Sequence, residues 1–254
     1  MPTSQSILIT GAGSGIGRGV ALYLARAGYR IIATDLSLEA AQSTVDAIIE
    51  VGGQGSAYAM DVTSEAATQA VFDSEDDIHG VINNAGIQHI DPIEDFPKDK
   101  WEALIKILLV GPAIATGIAV KYMREKGYGR IINIGSIHGL VASPYKSAYI
   151  SAKHGLLGLS KTVALETADT DITINTVCPA YVKTPLVEKQ IADQARTRGL
   201  TEDQVVNEVM LKPMPKKAFI SFEELGGTCE YLLSPAAKNM TGQTLVLDGG
   251  WTCT

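Results

Sequence analysis

Short apolar runs bounded by turn residues recur along this 254-residue chain, and between them apolar residues return every three or four positions. The first pattern reads as buried strands and the second as amphipathic helices. Strands are expected at 6–10, 30–34, 56–60, 79–83, 130–135, 172–177 and 244–247, with helices near 15–27, 37–51, 64–75, 98–125, 148–168 and 222–233. That alternation predicts an α/β fold, a doubly wound parallel sheet of about seven strands with helices on both faces. Ligands of such sheets bind beyond the carboxyl ends of the strands. Thr10, Asp35, Asp61, Asn84, Ser136 and Pro179 all fall at such ends, so they are expected to converge on one cleft.

The stretch from Thr184 to Phe219 breaks the alternation. It reads as two amphipathic helices, Pro185 to Arg198 and Glu202 to Leu211, parted by Gly199, with Thr201 and Gln204 forming a capping box. Its place directly after the sixth strand makes 185–217 a candidate helical lid over the substrate. Lys212 to Lys217 closes it as a stiff connector with solvated lysines. Without a linker, repeat or low-complexity tract, residues 1–254 are expected to form a single domain.

Composition narrows the partners. A net charge of -7 argues against nucleic acid or an anionic membrane as the main partner. Cys178, Cys229 and Cys253 are unclustered, which suggests neither a disulfide framework nor a zinc site, and no metal is expected. Reduced thiols, with no signal peptide ahead of the first strand, fit a cytoplasmic location. The longest uncharged stretch, 107–120, carries Gly111, Pro112 and Gly117, is too short to span a bilayer and is expected to be a buried helix.

Two constellations carry chemistry. Ser6 to Thr10 leads at once into Gly11-Ala12-Gly13-Ser14-Gly15-Ile16-Gly17 and then a helical pattern. Strand, glycine turn and helix is the context of a dinucleotide site, because glycines let the backbone approach and a helix N-terminus attracts pyrophosphate. Asp35 ends the second strand, where a carboxylate binds ribose hydroxyls and repels a 2′-phosphate, and Leu36-Ser37-Leu38 follows without a cation, which points to NAD rather than NADP. The second constellation is Tyr149 and Lys153, four apart on one helix face, with Ser136 upstream. A lysine ammonium beside a phenol is expected to favour the phenolate, which can take a proton from an alcohol or return one to a ketone.

Thr10-Gly11-x-x-x-Gly15-Ile16-Gly17, Asn83-Asn84-Ala85-Gly86, Ser136, Tyr149-x-x-x-Lys153 and Cys178-Pro179 together resemble the short-chain dehydrogenase/reductase pattern, in its usual order and over essentially the whole chain. The resemblance implies one Rossmann-type domain, a nicotinamide cofactor, a Ser136–Tyr149–Lys153 catalytic group and a homotetramer built through the long helices and the last strand. It places the cofactor on Gly11, Ser14, Gly15, Ile16, Gly17, Asp35, Leu36, Asp61, Val62, Asn84, Ala85, Gly86, Tyr149, Lys153, Pro179, Val182 and Thr184.

Within that family, Gly86-Ile87-Gln88-His89, Ser136 to Ser143, Lys146 to Tyr149, Pro185 to Gln190 and Asp248 to Trp251 are similar to the D-3-hydroxybutyrate dehydrogenases. This likeness implies a substrate carboxylate bound by Gln88, His138, Lys146 and Gln190, a C3 hydroxyl met by Ser136 and Tyr149, and Trp251 near the methyl end. One cation with neutral donors suits a short hydroxy acid. The expected reaction is reversible NAD-dependent oxidation of D-3-hydroxybutyrate to acetoacetate, the chemistry of ketone bodies, with Tyr149 as general base. The alternatives are a dehydrogenase of another small hydroxy acid or secondary alcohol, and a dinucleotide-binding protein of weak catalysis. His89 has no assigned role and is expected at the surface.

Three features depart from the family pattern. Leu108 occupies the slot where an asparagine usually completes a proton relay to the lysine, and Ala180 replaces a glycine after Pro179. The helix near 64–75 is short. Pro112, four residues beyond Leu108, has no N–H, so the Leu108 carbonyl is expected to be free to hold the relay water.

Overall fold

Seven strands pair in the order β3-β2-β1-β4-β5-β6-β7, every pair parallel. They are β1 (Ser6–Thr10), β2 (Arg30–Asp35), β3 (Gln54–Ala59), β4 (Gly80–Asn83), β5 (Tyr128–Ile134), β6 (Asp171–Pro179) and β7 (Thr244–Leu247). The structure is a computed structural model and describes residues 5–253, apart from the side chains of Leu186, Lys189, Gln190, Asp193, Gln194, Thr197 and Arg198. The chain runs outward from β1 to β3, then returns to lay β4 on the other side of β1. That reversal opens a crevice beyond the carboxyl ends of β1 and β4.

The apolar runs are continuous because the central strands are covered on both sides. Along β1 and β2, Ile7, Ile9, Ile31 and Ala33 pack into one core layer with the helices Gly15–Arg26, Leu38–Glu50 and Phe222–Leu233. Leu8 and Ile32 point the other way, into a layer with Val71, Phe72, Ala119, Met123 and Val163 from helices on the opposite face. The period of two along a strand makes this division.

Strand boundaries move where pairing, not hydrophobicity, sets them. β3 starts at Gln54, earlier than its apolar pattern suggests, because its residues pair with β2 from Arg30 onward and an edge strand needs no apolar face there. β6 runs on to Pro179, which pairs with Leu247.

Helix starts follow side-chain chemistry. Ser37, Ser64 and Thr184 each accept a hydrogen bond from a backbone N–H three residues on, and Thr201–Gln204 and Ser221–Glu224 form capping boxes. After β6 come the helix Pro185–Arg198, ended by Gly199 at φ 65, and a short helical piece Glu202–Gln204 that continues as a π-helix over Val205–Met210. The connector's lysines Lys212, Lys216 and Lys217 are all exposed, as expected, and the Lys217 ammonium also donates to the carbonyls of Leu211 and Lys212, with Lys217 at φ 49.

The expected buried helix at 98–125 is a continuous helix, Lys98–Lys126, with its turn Lys106–Val110 π-helical. Its 29 residues, with an 18-residue window of mean hydropathy 2.1, make it long and apolar enough, by those measures alone, to cross a membrane, which the uncharged stretch alone did not suggest. Here it covers the sheet, with Ala119 and Met123 in the core, while only 39% of its most apolar window is buried.

Candidate active site

The crevice is framed by backbone held at close range. Gly11 turns the chain at φ 64, where a Cβ would sit 2.8 Å from the Ala85 Cα. Thr10 Oγ1 accepts the N–H groups of Asn84 and Ala85 at 2.9 and 3.0 Å, and the Asn84 amide donates to the carbonyls of Thr10 and Gly11. These bonds lock the loop after β4 against the glycine turn. Gly17 lets helix Gly15–Arg26 pack on that turn, since a Cβ there would lie 2.3 Å from the Gly11 carbonyl oxygen. Asp35 accepts the Gly13 N–H at 3.0 Å and the Ser37 N–H at 3.3 Å, so its carboxylate is aimed across the mouth of the turn.

Beyond the strand ends lies a cavity of about 700 Å³. The residues expected at the cofactor and the substrate all line it, with three exceptions. Gly17 is one, for the packing reason above. Trp251 is the second: it stands behind His138, ring centroids 5.9 Å apart and edge-on, and stacks on Tyr181 at 6.1 Å. The third is Gln190, whose side chain lies outside the described residues. Sequence reasoning missed Met60, Ile107, Tyr181 and Val187, which also line the cavity. Tyr181 follows Pro179 at a strand end and was findable on that ground; Ile107 becomes visible only with the helix in place.

Helix Ser147–Glu166 presents Tyr149 and Lys153 to this cavity, and Ser136 enters just past the end of β5. Ser136 Oγ accepts the His138 N–H at 3.1 Å, which leaves its own proton to donate. Lys153 is 5% exposed, donates to the Ile134 carbonyl at 2.7 Å and sits 5.7 Å from the Tyr149 ring centroid. Burial pushes the Lys153 ammonium down to about 8. The Tyr149 phenol is pushed up by burial, with a hydrogen bond to Ser136 pulling the other way. The expected lowering of the tyrosine by its lysine is therefore not found. Lys153 is buried and Tyr149 partly so, and desolvation of each charged form outweighs their attraction at this distance.

At the other end, Lys146 precedes the first turn of the same helix and its ammonium lies 3.3 Å from His138 Nε2. An ammonium only donates, so Nε2 accepts and the imidazole proton sits on Nδ1. Burial first, and Lys146 second, hold His138 down at about 4. Burial also lowers Lys146. His138 is thus a neutral acceptor that aims Lys146. Gln88 Oε1 accepts the His89 N–H at 3.1 Å, so its amide NH₂ is left for a ligand.

Leu108 is 1% exposed and lines the cavity with Ile107. In the π-helical turn the Gly111 N–H reaches back to the Lys106 carbonyl, one residue further than in an α-helix. Pro112 offers no N–H, so Ile107 and Leu108 both lose their α-helical donors.

The sequence matches the short chain dehydrogenase family over residues 5–195. It is 46% identical over 257 residues to a D-beta-hydroxybutyrate dehydrogenase of Rhizobium meliloti (strain 1021), spanning 98% of this chain and 99% of that one. It is 40% identical over 259 residues to a D-beta-hydroxybutyrate dehydrogenase of Cupriavidus necator, spanning 99% of both. A solved structure from Agrobacterium tumefaciens with bound NADP superposes at a TM-score of 0.87 and 29% identity, over 98% of this chain and 97% of that one. This chain belongs to the short-chain dehydrogenase/reductase family, oxidoreductases that act on small molecules with a nicotinamide dinucleotide.

Proposed function

We propose that this enzyme oxidises D-3-hydroxybutyrate reversibly to acetoacetate with NAD, Tyr149 acting as general base. The observation that carries this is the Lys146–His138 pair, 3.3 Å apart in the same cavity as Ser136, Tyr149 and Lys153. A half-buried cation at one end and a proton acceptor at the other match an alcohol that carries a carboxylate. Similarity to two D-beta-hydroxybutyrate dehydrogenases over nearly the full chain supports the same substrate.

The glycine turn fits a dinucleotide. A side chain at Gly11 would meet Ala85, and Gly15, at φ 53, takes a conformation that a side chain would strain. NAD is favoured over NADP because Asp35 holds the end of β2, Leu36 and Ser14 flank the mouth, and Arg18 is engaged with Ser43 and Thr44. When bound, the dinucleotide supplies the hydride acceptor.

Lys146, aimed by His138, holds the carboxylate with the Gln88 amide, and Gln190 is assigned to the same group by family resemblance. Ser136 donates to the C3 oxygen, and Tyr149 takes the hydroxyl proton. Lys153 supports that transfer from its buried place beside the ring. Trp251 backs His138 and Tyr181, which limits the length of acid the cavity takes. The helices after β6 close over the substrate as a lid. The assembly is a homotetramer, in which the exposed Val110, Leu165 and Val246 on two long helices and the edge strand are covered.

Tyr149→Phe tests the assignment. It should leave NAD affinity, read by fluorescence titration, within about twofold while turnover falls by about 10³ or more. Turnover within tenfold of the parent removes Tyr149 from its role.

A further inference from the structure

The loop after β4 and the loop before helix Ser147–Glu166 bring Gln88 and Lys146 to one cavity from distant parts of the sequence. A ligand carboxylate held by both needs their separation fixed, because a shift of an ångström between donors is costly. Neither loop belongs to the sheet. What ties them runs through two residues outside the cavity, His89 and Asp91.

The chain of contacts is continuous. The His89 N–H donates to Gln88 Oε1 at 3.1 Å, which engages the oxygen of that amide and leaves its NH₂ for a ligand. The His89 ring packs edge-on against Phe96, centroids 5.2 Å apart, and its Nε2 meets Asp91 Oδ2 at 2.5 Å. The Asp91 backbone N–H donates to the Tyr145 carbonyl at 3.0 Å. Tyr145 sits at φ 67, a left-handed conformation that a side chain resists unless its surroundings impose it. The next residue is Lys146. A bond from one loop therefore holds a strained residue directly ahead of the half-buried cation in the other.

We infer that His89 and Asp91 form a clasp that sets the spacing between the Gln88 amide and the Lys146 ammonium, and so act as positioning residues for the acid end of the substrate. This rests on the proposed hydroxy-acid function for its kinetic consequence but not for the clasp itself. His89 is thereby more than a surface residue; its side chain is 33% exposed, and Asp91's 36%.

Two measurements on Asp91→Ala and Asp91→Asn test it. Asparagine keeps an acceptor for the imidazole, whereas alanine does not. Hydrogen–deuterium exchange on the whole protein should show faster exchange over 86–97 and 140–147 in Asp91→Ala, with β1 and β4 unchanged and Asp91→Asn close to the parent. Unchanged exchange over 140–147 overturns the clasp, whatever the substrate proves to be. In oxidation assays with the best hydroxy acid of a panel, Asp91→Ala should raise its KM about tenfold and move kcat less than about twofold. The KM for NAD should stay level, as should the KM of an uncharged ester of the matching oxo acid in the reverse reaction, and Asp91→Asn should recover most of the loss. Equal losses for the acid and the ester, or a fall in kcat alone, overturn the positioning role. A panel in which no hydroxy acid is turned over contradicts the proposed function, and the exchange experiment still decides the clasp.

Discussion

Tyr149 and Lys153 show how far spacing alone carries a catalytic assignment. Their separation placed both on one helix face, and both line the cavity. It did not reveal that each is withdrawn from water far enough for burial to raise the phenol and lower the ammonium to about 8. His138 carries the same lesson with a measurable sign. Unfolded, its imidazole titrates near 6.5; folded, burial and Lys146 hold it at about 4. Between those values the unfolded chain binds a proton that the folded chain does not, so stability falls as pH drops through the window, by about 3 kcal/mol at most. His138→Gln keeps an acceptor for Lys146 and removes the titration. Chemical denaturation at several pH values should show the variant losing less stability than the parent between about pH 6.5 and pH 4. Equal losses would mean that the folded protein holds His138 charged. The neutral His138 was not legible in sequence, since it depends on which groups face it across eight residues of loop.

At the scale of elements, the long helix Lys98–Lys126 carries the departure from the family pattern. Leu108 replaces a side chain that usually relays protons, yet the π-helical turn at Lys106–Val110 and the missing N–H of Pro112 take the α-helical donors from the Ile107 and Leu108 carbonyls at that place. A water held by the Leu108 or Ile107 carbonyl would then link the buried Lys153 to solvent. Pro112→Ala adds an N–H that reaches the Leu108 or the Ile107 carbonyl and should lower kcat for alcohol oxidation several-fold without changing the KM for NAD; the same kcat in both proteins would contradict the relay. Pro112 made the freed Leu108 carbonyl legible in sequence. The π-helical turn was not, because its register is set by packing: a Cβ at Gly111 would stand 3.1 Å from Val62. Capping signals such as Thr201 with Gln204 were readable as they stood, being local hydrogen bonds.

For the whole molecule, the strand order explains why motifs scattered from Gly11 to Thr184 enclose one cavity: each follows the carboxyl end of a parallel strand, and the order reverses between β1 and β4. Alternating apolar runs made that architecture legible, since strands buried on both faces and amphipathic helices leave distinct patterns. Less legible were residues brought in by tertiary packing alone, among them Ile107 and Trp251, the latter one layer behind the wall. The central claim is that this cavity oxidises a short alcohol bearing a carboxylate. The most direct test is a time course with the purified protein, NAD and D-3-hydroxybutyrate that follows NADH and acetoacetate together. Equal molar amounts of both should accumulate, with the L enantiomer and NADP far less effective. Absence of NADH formation from D-3-hydroxybutyrate, or equal rates with an uncharged secondary alcohol, would contradict the account.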